Sequence, residues 1–230
     1  MKKMAGQLKA IFFDVGNTLL FPDRKTILRS LYERNTAPSL EQWHAVEREI
    51  KNKFDDLMQH GGSVDHNFWR MFYARLLQEL GSQDDGLSDQ LVDATRHSAN
   101  WCDIRPGTRE ALERLSRKYG LAVISNADGK IEAVLKKCGI VNCFQSITDS
   151  GLVGYEKPHP AIFNTALRDM KVAAEESLYV GDVYSVDYLG ATRAGMQAIL
   201  FDVAGAYSGR EWPRVESLED LEKKPPVRQE

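Results

Sequence analysis

After Arg105-Pro106-Gly107 the chain settles into an alternation of strand and helix, and this rhythm narrows the available folds more than any other feature. Apolar residues at helical spacing run over 108–119, 130–138, 160–170 and 185–194, and short β-branched apolar runs over 121–124, 144–147, 178–180 and 198–201 read as strands. Gly120, Gly139 and Gly195 stand where helix C-caps are expected. Strands joined by helices run parallel, and helices then cover both faces of the sheet.

One more strand precedes this series. Lys9-Ala10-Ile11-Phe12-Phe13 ends at Asp14 and gives way to the turn-like Val15-Gly16-Asn17-Thr18. From 24 to 101 the spacing is instead three to four, as in Ile27, Leu31, Phe68, Met71, Phe72, Leu76 and Leu80. Breaks near 35–39, 60–63 and 81–86 predict roughly four helices there. The economical architecture is α/β: a Rossmann-like, doubly wound parallel sheet from residues 1–20 and 102–230, with an inserted all-helical domain over 21–101. The polar, proline-bearing stretch from 211 onward is expected to be a loosely held surface tail.

Composition then removes several classes of function. With 230 residues, 43% hydrophobic and 27% charged, the chain is an ordinary globular protein rather than a disordered or fibrous one. A net charge of −3 supplies no basic field for a phosphate backbone, so nucleic acid is not an expected partner. No apolar run approaches the roughly 20 residues that span a bilayer, and the basic Met1–Met4 start is followed only by the short, broken run 8–13, so neither a membrane segment nor an export signal is read. Three cysteines, Cys102, Cys138 and Cys143, contain no Cys-x-x-Cys and fit a reducing cytoplasm. The expectation is a cytoplasmic monomer or homodimer.

The polar residues that carry chemistry collect at strand ends. Asp14 follows Phe13, Ser125-Asn126 follows Ile124, and Gly181-Asp182 follows Val180. In an open parallel sheet these ends share one edge, where ligands bind. Asp14, Asp182 and Asp187 in one pocket would repel each other unless a hard cation joined them, and Mg²⁺ suits a site with few protein carboxylates. Lys157 and Ser125 then serve as donors to an oxyanion, and Asp14 as an anionic nucleophile.

The ordered set Asp14-Val15-Gly16-Asn17-Thr18, Ser125-Asn126, Lys157-Pro158 and Gly181-Asp182 with Asp187 resembles the four motifs of the haloacid dehalogenase superfamily of hydrolases, over about residues 8 to 204. The helical insertion looks like the cap of its small-molecule phosphatases. The resemblance implies a Mg²⁺-dependent hydrolase of a small phosphorylated metabolite. Asp14 would form an aspartyl-phosphate and share Mg²⁺ with the Gly16 carbonyl and Asp182, with Asp187 supporting the metal. Ser125 would bind a phosphoryl oxygen, Lys157 would link nucleophile and phosphate, Thr18 would steady the loop, and Asn126 would shape the phosphate pocket.

One position departs from that pattern. The phosphatases carry a second Asp two residues after the nucleophile, where this chain has Gly16. Without that acid/base, unactivated esters should turn over slowly, and Gly16→Asp is expected to raise the rate. Two alternatives follow: a homologue that binds a phospho-ligand or a protein without catalysis, and a phosphonatase-like C–P hydrolase using Lys51 or Lys53. A solvated helical face is the simpler account of both lysines. Metal-free haloacid dehalogenation leaves the paired Asp182 and Asp187 without a use. In the insertion, His44, His60, His66, Trp69, Arg70 and Tyr73 are candidates for a substrate face. Trp69 reads as core and the histidines as surface residues, and 61–70 is the region expected to reach substrate.

Overall fold

The computed structural model describes residues 7–61, 67–82 and 85–223. In chain order, β1 (Ala10–Phe13) and β2 (Phe21–Pro22) lead to α1 (Arg24–Ile27), α2 (Arg29–Glu33), α3 (Leu40–Gln59), α4 (Asn67–Glu79) and α5 (Asp85–Arg96). The chain returns through β3 (Trp101–Asp103), α6 (Thr108–Ser116), β4 (Gly120–Ser125), α7 (Ile131–Lys137), β5 (Ser146–Asp149) and α8 (Ser150–Val153). It then runs through α9 (Pro160–Met170), β6 (Ser177–Gly181), α10 (Leu189–Arg193), β7 (Gln197–Phe201), β8 (Arg214–Val215) and α11 (Leu218–Lys223).

Six strands form one parallel sheet in the order β5-β4-β1-β6-β7-β8. Alternate residues point to opposite faces. Ile11, Phe13, Val123 and Val180 join Leu112, Leu135 and Leu221 of α6, α7 and α11 in one buried cluster. Ala10, Phe12, Ala122 and Ile124 join Ile162 and Phe163 of α9 and Ala191 of α10 in another. Burial on both faces explains why these strands read as continuous apolar runs, each large side chain contributing about 1.5–3 kcal/mol. β1 lies between β4 and β6 with Phe13 opposite Val123 and Val180, so the exits of the three strands are neighbours.

The helical insertion has a core of its own. α3 starts at a capping box in which Ser39 Oγ accepts from the Gln42 N–H and Gln42 Oε1 from the Ser39 N–H. Trp43, Val46 and Ile50 pack with Phe72, Leu76 and Leu91, and the Trp43 and Phe72 ring centroids are 4.6 Å apart. Where the chain leaves and re-enters the sheet layer, β2 and β3 pair antiparallel. Strands this short leave no periodic trace in the sequence. No helix among the described residues is long and apolar enough to cross a membrane.

Four sequence expectations need correction. The stretch from 211 is structured as far as 223: β8 extends the sheet beside β7, and Leu218 and Leu221 of α11 are buried in the core. The strand expected at 144–147 lies at Ser146–Asp149, because Phe144 packs edge-on against Phe13 ahead of the ladder and the strand itself carries polar residues. The helix expected over 185–194 begins as a π-turn at Tyr184–Tyr188 before α10. Between 24 and 96, α1 and α2 are short turns split at Leu28, giving five helical elements among the described residues there rather than four.

Candidate active site

Asp14 leaves β1 with its N–H donating to the Val180 carbonyl at 2.8 Å, which ties the strand exit to β6. Its side chain meets Lys157, a residue only 2% exposed. The Lys157 ammonium donates to Asp14 Oδ1 at 2.6 Å, to Asp187 Oδ1 at 2.8 Å and to the Tyr179 hydroxyl at 2.8 Å, which uses all three of its hydrogens. Asn126 clamps the same residue by its backbone: Nδ2 donates to the Lys157 carbonyl at 3.0 Å, and the Lys157 N–H donates to Oδ1 at 2.7 Å. Burial opposes the lysine's charge, but the carboxylates of Asp14 and Asp187 outweigh it and hold Lys157 above the usual lysine range. Burial raises Asp14 to about 7 against the pull of Lys157, with Asp187 and Asp182 adding to the rise.

A second ammonium enters from the insertion. Lys51 of α3 is 1% exposed, and its Nζ lies 2.9 Å from Asp182 Oδ2 and 2.9 Å from Glu47 Oε1. Burial raises Asp182 to about 6, with Lys51 opposing the rise and Asp187 adding to it. On the same helix face Asp55 accepts from the Ser185 N–H at 2.8 Å and the Tyr207 hydroxyl at 2.8 Å. Arg48 donates to the Ala204 carbonyl at 3.0 Å, and Asn52 to that of Ala206 at 3.2 Å. Residues 48, 51, 52 and 55 fall on one side of a helix, so α3 is fastened along its length to the loops after β6 and β7.

One carboxylate oxygen from each of Asp14, Asp182 and Asp187 falls within 4.8 Å of the others, and all three residues are buried. Counting Glu47, four carboxylates face two ammonium groups, Lys51 and Lys157. With all four ionised the cluster lacks two positive charges, and its donors are hard oxygens: the residues fit a divalent cation such as Mg²⁺. Asp187 is the most committed of the three, because its Oδ2 also accepts from the Val183 N–H at 2.9 Å. Its approach requires Gly181, where a Cβ would lie 2.5 Å from the Asp187 Cγ.

The family pattern of haloacid dehalogenase-like hydrolases matches residues 8–195. The chain belongs to that family. It is 32% identical over 203 residues to the glyceraldehyde 3-phosphate phosphatase of Methanothermobacter thermautotrophicus, covering 84% of this chain and 85% of that protein. It is 28% identical over 208 residues to the 5-amino-6-(5-phospho-D-ribitylamino)uracil phosphatase YigB of Escherichia coli, covering 84% and 83%. The magnesium-bound HAD-hydrolase YfnB of Bacillus subtilis shares the fold with a TM-score of 0.68 at 20% identity, over 95% of this chain and 98% of that one.

In this haloacid dehalogenase-like hydrolase a cavity of 490 Å³ lies between sheet and insertion. Asp14, Gly16, Ser125, Asn126, Lys157, Asp182 and Asp187 line it. Thr18 does not: its hydroxyl is buried with no partner among the described residues, while its N–H donates to Val15 within the loop. Asn126 spends its amide on the Lys157 backbone and acts as a brace. Phe68 and Trp69 line the cavity from the expected 61–70 region, whose residues 62–66, His66 included, lie outside the described residues. His44 and His60 do not line it, Arg70 is largely exposed, and Tyr73 is buried against the Thr95 hydroxyl.

One expectation in the hydrolase is overturned. Lys51 is not on a solvated face; only Lys53 is, paired with Glu49 at 2.7 Å. Gly16 is absent from the positive-φ glycines, so backbone freedom does not explain it. A Cβ there would sit 3.2 Å from Trp101 Cζ3, so a side chain at 16 has to displace the indole, which is anchored by its N–H to the Thr95 carbonyl at 2.8 Å, by a few tenths of an ångström. Trp101 and Tyr179 are residues of this site that sequence reasoning missed, and Lys51, named only as a candidate C–P amine, is placed by it on a solvated face. The carboxylate–lysine spacing of Glu47, Lys51 and Asp55 was the available signal for its buried ion pairs.

Proposed function

We propose that this hydrolase removes the phosphoryl group of a small phosphorylated metabolite, with Asp14 as nucleophile. The observation that carries the reading is the Asp14 carboxylate on the cavity lining, 2.6 Å from the Lys157 ammonium and within reach of Asp182 and Asp187. The names of the two phosphatase relatives agree with it. In this reading 1–20 and 102–230 form the catalytic core and 21–101 the cap over it, working in a reducing cytoplasm where the free thiols of Cys102, Cys138 and Cys143 persist.

Asp14 attacks phosphorus, forming a carboxyl oxygen–phosphorus bond as the bond to the leaving oxygen breaks; water then cleaves the aspartyl-phosphate and regenerates the carboxylate. Lys157 offsets the approach of two anions, and its three contacts keep it aimed at Asp14. Ser125 donates its hydroxyl to a non-bridging phosphoryl oxygen. Mg²⁺, held by Asp14, the Gly16 carbonyl and Asp182 with Asp187 behind them, would supply the remaining charge neutralisation when bound. Position 16 offers no proton to the leaving group, so esters of acidic alcohols, or substrates with their own donor, turn over fastest.

The C–P reading requires a free cap amine facing the cavity. Lys51 does not line the cavity and its ammonium is taken by two carboxylates, and Lys53 lies on the exposed side. The test is hydrolysis of 4-nitrophenyl phosphate with and without Mg²⁺, in wild type and Asp14→Asn. Magnesium-dependent turnover lost in the variant supports the reading. Retained binding of Mg²⁺ and vanadate with no turnover of any phosphate ester points to a non-catalytic phospho-ligand binder.

A further inference from the structure

Lys51 is the one buried ion-paired cation among the described residues that the proposed chemistry leaves unused. It comes from the insertion, crosses to the core and takes one oxygen of Asp182, a carboxylate placed in the metal site. Glu47, one turn earlier on α3, holds the other side of the ammonium at 2.9 Å. A buried ammonium with two carboxylate partners is geometrically fixed, and a dication brought to Asp182 meets this positive charge at close range.

We propose that Lys51 is a built-in cation that opposes the divalent metal at Asp182 and couples metal binding to the seating of the cap. The inference rests on the proposed metal site. With Lys51 fully engaged, Asp182 is neutralised from the cap side and α3 is drawn onto the core beside its contacts at Arg48, Asn52 and Asp55. With the metal bound, the same carboxylate is shared and the Lys51 contact weakens. Linkage makes the effect reciprocal: whatever Lys51 takes from metal affinity, the metal takes from the attachment of α3. The site thereby responds to the free Mg²⁺ concentration and opens its cap edge more readily when loaded.

Calorimetric titration with Mg²⁺ tests this on the full chain, comparing wild type with Lys51→Met and the charge-keeping Lys51→Arg. Lys51→Met is expected to bind Mg²⁺ about tenfold more tightly, and Lys51→Arg within about twofold of wild type. Equal or weaker binding by a folded Lys51→Met overturns the proposal while leaving the metal site intact. No Mg²⁺ binding by wild type overturns the metal site itself. A second measurement needs no variant: hydrogen exchange of the α3 amides in wild type should quicken on adding Mg²⁺. Exchange that slows or stays unchanged overturns the coupling.

Discussion

Trp101 packs against Gly16 so closely that a Cβ at position 16 would lie 3.2 Å from the indole Cζ3. A side chain two places after Asp14 thus needs the indole, which comes from β3 far away in sequence, to give by a few tenths of an ångström. Gly16→Asp by itself, which sequence reasoning expects to add a missing acid/base, should not raise turnover of alkyl phosphates. Combined with Trp101→Ala it should raise it by about 10²-fold or more, the usual worth of such a group. Steady-state kinetics of the two singles and the double check this, and a gain in Gly16→Asp alone contradicts it.

The reciprocal hydrogen bonds between Asn126 and the Lys157 backbone place the ammonium over Asp14. Asn126→Ala should lower kcat about a hundredfold with little change in KM, the cost expected of a displaced reacting group. A change confined to KM would instead make Asn126 a ligand contact.

Asp14 is raised to about 7 chiefly by burial, so the folded protein keeps a proton there that the unfolded chain releases near 3.8. A carboxyl raised in this way contributes stability that is full below the unfolded value and is lost as pH rises through the folded one. In EDTA, Asp14→Asn should therefore melt above wild type at pH 7.5, and the gap should close at pH 5. Thermal melts of both proteins at the two pH values decide it; a gap that widens at pH 5 contradicts the sign.

Asp149, at the end of β5, accepts from the N–H groups of Gly129, Ile131 and Gly151 at 3.0, 3.1 and 2.9 Å and is 2% exposed. It fixes the loop that follows Ser125. Asp149→Ala strands three donors and should cost about 3 kcal/mol in urea unfolding.

Much of the site was legible because strand ends are legible. Asp14, Ser125 and Asp182 each follow an apolar run, and a parallel sheet brings such ends together whatever the details of the helices. Lys51 was hidden by an ambiguity of spacing: Glu47, Lys51 and Asp55 at every fourth position describe a solvated ion-pair stripe and a buried one equally well. The contact of Trp101 with Gly16 joins residues that only the return of the chain through β3 brings together. β5 extends past the apolar run at 144–147 because Ser146, Thr148 and Asp149 give it polar character, and β8 is too short to carry a pattern.

The proposed reaction passes through a covalent bond to Asp14. The most direct measurement is to quench the enzyme with acid during turnover of an aryl phosphate in Mg²⁺, digest it and locate the phosphoryl group by mass spectrometry. The prediction is a base-labile phosphoryl group on the peptide containing Asp14, converted by borohydride to homoserine at that position. Magnesium-dependent turnover with no phosphoryl group on that peptide, or with one on another residue, would contradict it.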